Sequence, residues 1–327
     1  MLLVSLSFMA LDYLVMAVAG SIWILLAGRI IGGVTAAPQS TAMAYMADIS
    51  TARDKAKNFG LVSAAFGIGI VLGPLVGGLL STFGLRAPFY AAAALAAANF
   101  GFGYFILPET VTDAIRRPFE WCRANPLGAF KHIGRLPGLK ALMSVQFLYS
   151  IAFFVYPAVW AYFTHERFGW DGLMVGYSLA AFGISMAVVQ GGLIRAIIPR
   201  IGEAKTVLLG LAINMVSFLA LALVPNGTVI LVLTPLTALG AMTGPALLAI
   251  MSRAADDNQQ GELQGLLASV GSIGMILSPI IMTQTFSYFS SGNAPLYLPG
   301  APFLLSMLLI AICIAIYLSA SKPVRRK

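Results

Sequence analysis

Apolar residues in this chain do not alternate with polar ones. They run for about twenty positions at a time and are broken by short clusters of Gly, Pro and charge. The run from Phe59 to Phe83 holds no charged residue. Wound as a helix at about 1.5 Å per residue it would reach roughly 37 Å, enough to cross a hydrocarbon layer of about 30 Å with some tilt. The same pattern predicts ten spans, at residues 1–19, 22–46, 58–82, 86–107, 139–163, 172–198, 204–224, 227–251, 262–288 and 300–320. Lipid admits only helices or closed barrels, and these runs are too long for barrel strands, so the expected fold class is an all-α polytopic membrane protein. The first run does not read as a signal peptide, because it lacks a basic start and carries Asp12.

Composition sharpens this. Hydrophobic residues make up 59% of the chain and charged ones 10%, against about 25% charged in soluble domains, which excludes a water-soluble core. The two cysteines, Cys122 and Cys313, lie far apart and predict no disulfide framework.

Charge then orients the spans. Seventeen of the 20 Lys and Arg residues fall in alternate connections and in the C-terminal tail, leaving Arg86 and Arg167 on the opposite side and Arg29 inside a span. The positive-inside rule therefore puts both chain ends in the cytoplasm, and the net charge of +8 requires no nucleic-acid partner. The long hydrophilic stretch at 108–138 divides the chain into an N-terminal half at 1–107, a cytoplasmic linker at 108–138, a C-terminal six-helix half at 139–321 and a basic tail at 322–327.

The halves repeat. Gly60 to Pro74 lies on Gly265 to Pro279 without a gap at an offset of 205 residues, and Gly33 to Pro38 lies more weakly on Gly240 to Pro245 at an offset of 207. If the second block starts near Leu139, its counterpart would start some 66 residues before Met1, so the pattern predicts ten helices of a six-plus-six design, lacking the opening pair.

Several residues stand out against this background. Asp12 and Arg29 are the charges well inside spans, where charge is costly and usually functional. Their midpoint falls on Gly20-Ser21, so a hairpin turning there sets both at one depth, roughly 12 Å below the turn, with an ion pair in reach. A structural pair and a pair lining a transport path are both compatible with this spacing. Gly69, Gly73 and Gly77 line one helix face, as in close helix crossings, and Pro74 stands among them with Gly78 after them. The span from Leu139 is rich in aromatics; Gln146, Tyr149 and Phe153 recur at helical spacing and are the expected cavity face, with Gln39 a weaker choice. Thr234 and Thr237 could add polar contacts or bond their own backbone. No enzyme motif survives: His165-Glu166 lacks a second His at position 169, and Gly67-x-Gly69 has Leu72 where a dinucleotide loop needs Gly.

The segments Leu25 to Ala37, Ala44 to Ser50, Gly67 to Gly78, Arg116 to Phe130 and Gly261 to Pro279 together resemble the tetracycline/proton antiporter branch of the major facilitator superfamily, and the likeness covers essentially the whole chain. The resemblance implies an acid and an arginine at Asp12 and Arg29 handling substrate or proton, a conformational motif at Gly69, Gly73, Pro74, Gly77, Gly78 and Pro279 on which two halves rock, and a cytoplasmic gate element at Asp48 and Arg53. A ninth-helix carboxylate of the family corresponds to Asn214, which cannot change charge. The family's gated loop between its second and third helices would precede Met1, with a degenerate counterpart at Gly191 to Glu203.

The function this implies is proton-coupled efflux of tetracycline-like drugs across the cytoplasmic (inner) membrane by alternating access. Two alternatives stand beside it: a transport-incompetent truncated fragment or subunit, and an exporter of a different amphipathic solute. No enzyme activity and no cofactor are expected; the proton gradient would drive transport, and any divalent metal would arrive chelated to the substrate. The expected partners are a small amphipathic drug, protons and the lipid bilayer.

Overall fold

The structure is a computed structural model that describes residues 2–35, 41–42, 45–46, 49–50, 55–108, 139–254, 260–291, 294 and 296–321. Among the described residues the regular elements are all helical. In chain order they are α1 (Leu2–Val18), α2 (Ile22–Thr35), α3 (Lys55–Ser81), α4 (Ala87–Ile106), α5 (Leu139–Phe153), α6 (Val155–Phe168), α7 (Gly172–Val188), α8 (Ile194–Ile201), α9 (Glu203–Leu223), α10 (Gly227–Thr237), α11 (Thr243–Ala254), α12 (Gln260–Ser290) and α13 (Ala301–Ser321). Seven continuous stretches among them are long and apolar enough to cross a membrane, and the shorter apolar stretches Leu2–Val18, Ile22–Gly33 and Leu72–Ser81 complete the pattern.

Irregularities fall at proline and glycine, as expected where a backbone N–H is missing. Pro157 leaves α6 to restart after Phe154; Pro235 and Pro245 bracket a 3₁₀ segment at Ala238–Met242; and Gly191-Gly192 lie in a π-turn at Val189–Leu193. Pro74 and Pro279 both sit inside helices, α3 and α12.

The chain forms two compact units, the first comprising α1–α4 together with Gly172–Ala180 of α7 and the second holding the remaining described helices. In the first, α1 packs on α2 and α4. Its tightest crossing brings α3 onto the start of α7: a Cβ added at Gly78 would lie 2.8 Å from the Gly172 carbonyl oxygen and 3.0 Å from Gly176 Cα, and one added at Gly176 would lie 2.8 Å from the Pro74 carbonyl oxygen. Glycine is needed at both positions because backbones touch there. The stripe singled out in the sequence is turned away from this crossing. Nothing among the described residues comes within 4 Å of a Cβ at Gly69, Gly73 or Gly77, since Pro74 and Gly78 share a face about 100° round the helix from Gly73 and Gly77.

In the second unit α9 is the central strut, with Val207, Leu211, Asn214, Phe218 and Leu221 all fully buried and with α11 and α13 against it. Aromatic rings fill the space around it. Phe163 and Phe303 meet edge to face at 4.8 Å, and Tyr156 lies 5.0 Å from Phe182 and 5.6 Å from Phe218. Most of the aromatic run after Leu139 thus packs inside the unit, while Tyr162 points outward. In lipid this interlocking substitutes for the hydrophobic drive that water would supply.

The two arginines left on the minority side of the charge count each close a helix end. Arg86 Nη2 donates to the Ala19 carbonyl at the end of α1 at 3.1 Å, and Arg167 donates from Nη1 to the Ala222 carbonyl at 2.9 Å and from Nη2 to the Leu223 carbonyl at 3.1 Å, at the end of α9. A cation at a helix C-terminus answers both the unpaired carbonyls and the negative end of the dipole. Beside Arg167, the Tyr297 hydroxyl donates to Glu166 Oε1 at 2.8 Å, and this bond to a carboxylate raises the phenol pKa above its ordinary value.

Two outcomes follow for purified protein in detergent. Gly176→Val should separate α3 from α7 at a cost of about 1–3 kcal/mol, read as a lowered unfolding temperature, whereas Gly73→Ala should leave that temperature unchanged. Arg167→Ala should destabilise by about 1–3 kcal/mol by stripping two carbonyls of their donor, and hydrogen exchange should rise at the α10 start, next to the end of α9.

Candidate functional site

The α1–α2 hairpin builds the site. Its turn is short because the Ala19 N–H closes on the Val15 carbonyl at 2.8 Å, and Ser21 Oγ accepts from the Ile24 N–H at 3.4 Å, starting α2. Asp12, the charged residue of α1, and Arg29 of α2 then face each other. Arg29 approaches with both prongs: Nη2 bonds Asp12 Oδ2, and Nε lies 3.4 Å from Oδ1. Asp12 is 9% exposed and the Arg29 side chain 52%, so the acid is enclosed while the cation keeps an open side.

The space for that acid is carved by glycine. A Cβ at Gly32 would lie 2.9 Å from Asp12 Cγ and 3.0 Å from Oδ2, so the carboxylate rests directly on the backbone of α2. A charge placed alone at a span's centre costs about 2.5–3.5 kcal/mol on insertion scales, and the pair offsets most of that. Chemically, this is a buried carboxylate paired with a guanidinium that keeps an open side.

A second polar constellation lies in the second unit. Asn214 is fully buried; its Nδ2 donates to the Gly210 carbonyl of its own helix at 3.0 Å and to the Gly240 carbonyl of the 3₁₀ segment at 2.9 Å. Thr243 Oγ1 donates to the same Gly240 oxygen at 2.9 Å. A Cβ at Gly240 would overlap the Asn214 amide, so the staple exists because residue 240 is glycine. The Tyr149 phenol lies beside Asn214 and Thr243, and Asn214 Oδ1 has no aligned donor among the described residues.

The structure brings Asp12 to Arg29 and Tyr149 to Asn214. Tyr149 stacks on Phe153 at 5.6 Å and is buried, and Gln146 Nε2 donates to Ser150 Oγ, one turn further along the same helix, at 3.4 Å. Thr234 and Thr237 donate to the carbonyls of Ile230 and Thr234, each at 2.7 Å. Next to Pro279, Ser278 Oγ donates to the Ile151 carbonyl at 2.7 Å and ties α12 to α5. Gln39, Asp48 and Arg53 lie outside the described residues. Sequence reasoning passed over Gly32, Gly240, Thr243 and Ser278. The first three stand in the segments Leu25 to Ala37 and Gly240 to Pro245, which were noticed only as pattern matches, and Ser278 gives no signal of its own.

The family described as the Major Facilitator Superfamily matches residues 1–279. Tetracycline resistance protein, class C, of Escherichia coli is 39% identical over 290 residues, spanning 89% of this chain and 73% of that protein. Tetracycline resistance protein, class G, of Vibrio anguillarum is 34% identical over 318 residues, spanning 96% and 79%. Among solved structures, a bacterial homologue of the human lysosomal transporter Spinster, inward-facing and occupied, superposes with a TM-score of 0.74 at 16% identity over 98% of this chain and 82% of that one, a likeness of fold.

The staple has a measurable consequence. Asn214→Leu keeps the volume but removes both bonds, and should cost about 1–3 kcal/mol in thermal unfolding, with faster hydrogen exchange confined first to residues 238–242.

Proposed function

We propose that this chain, which belongs to the major facilitator superfamily, exports tetracycline-like amphipathic drugs across the cytoplasmic membrane in exchange for protons, by alternating access with both chain ends in the cytoplasm. The observation that carries this reading is the enclosed Asp12 held by the half-exposed Arg29. On the cytoplasmic side the deprotonated Asp12 and the half-exposed Arg29 together receive the polar groups of the drug. Protonation of Asp12 from the outer side removes that charge and releases the drug, and the proton is given up to the cytoplasm before the next drug binds. The names of the relatives support the drug class. The crossing of Pro74 and Gly78 on Gly176 supports a bearing in the first unit at which backbone meets backbone.

A second reading, export of a different amphipathic solute, is favoured by Asn214. Where the resemblance implies a carboxylate, this chain has an amide already committed to two carbonyls, so coupling would rest on Asp12.

Inverted membrane vesicles holding the chain test both. Labelled tetracycline should accumulate when a pH gradient is imposed and not without one; Asp12→Asn should abolish the gradient-driven part, and Arg29→Gln should do the same while the protein remains folded. Gradient-independent uptake, or uptake unchanged in Asp12→Asn, overturns the proton role. Gradient-driven uptake of other lipophilic drugs with none of tetracycline selects the second reading.

A further inference from the structure

Between α9 and α10 the second unit holds a pocket of about 410 Å³, lined by Ala212, Val216, Ser217, Ala220, Leu236 and Thr237 among others. That volume lies in the range of small-molecule sites, which are mostly apolar with a few placed polar groups. The rim is open, with Val216 63% and Leu236 55% exposed. No ionisable side chain lines it. At its floor Ser217 is 9% exposed and makes no hydrogen bond among the described residues, and Thr237 has already given its proton to the Thr234 carbonyl. Ser217 therefore offers a donor that hydrocarbon cannot satisfy, and an unmet polar group in such surroundings favours any ligand that supplies an acceptor.

We propose that this pocket is a second ligand site, separate from the Asp12–Arg29 pair, that takes an uncharged lipophilic molecule carrying one oxygen acceptor, reached from the lipid and anchored by the Ser217 hydroxyl. Charged or zwitterionic drugs are excluded, since nothing in the lining compensates a charge. An aromatic or alicyclic body suits the walls, and a carbonyl, ether or phenol oxygen suits the floor.

The test uses the full chain in proteoliposomes and a diazirine-bearing alkyl phenyl ketone as photoprobe, with adducts mapped by peptide mass spectrometry. Adducts should concentrate in residues 212–221 and 233–239 and be competed by the unlabelled ketone. Ser217→Ala should reduce them about fivefold, the effect of one lost hydrogen bond, with labelling around the exposed Phe105 of α4 unchanged as a control on folding. Leu236→Trp, which narrows the rim, should block them. The proposal is overturned if labelling spreads evenly over the exposed helix faces, if Ser217→Ala labels like the parent, or if hexadecane competes as well as the ketone, which would mean that a lipid tail fills the groove.

Discussion

Hydrocarbon gives a polar atom nothing to bond to, so the polar groups and helix ends that shape the described helices turn to partners inside the protein. Asp12 finds Arg29, the carbonyls ending α1 and α9 find Arg86 and Arg167, and the Gly240 carbonyl finds Asn214 and Thr243. These contacts fix helix position more sharply than side-chain packing could. An apolar surface slides against lipid or another helix at little cost, whereas a lost hydrogen bond in this medium has no replacement.

The requirement for partners also explains where the glycines matter. A carboxylate lies on the backbone of α2 because Gly32 has no side chain, and an amide reaches the 3₁₀ segment because Gly240 has none. At Gly78 and Gly176 the same property serves backbone contact. Polar function and close packing thus draw on one device, the removal of a Cβ where a neighbour must come within about 3 Å.

Comparing the two units sets their chemistry apart. The first sets two opposite charges, Asp12 and Arg29, against each other between its opening helices. The second carries an uncharged staple at Asn214, an aromatic interior and a pocket that exposes the Ser217 hydroxyl. On the proposed reading, the energy of the proton enters through the first unit, and the second supplies a stiff counterpart.

By itself the sequence determined that the chain is a bundle of membrane helices, roughly where each begins and ends, and that Asp12 and Arg29 sit at one depth. Those properties follow from run length, helical rise and the position of a turn, all local quantities that a linear pattern records. It did not determine which glycine makes the crossing, since Gly73, Gly77 and Gly78 differ only in the direction they face and that direction is set by the partner helix. Nor could it tell that Tyr149 turns toward Asn214, or that Ser217 opens onto a pocket. Which side chain meets which across two helices depends on their relative rotation and on the 3₁₀ turn that shifts α11 against α10, and only the packed tertiary structure decides those.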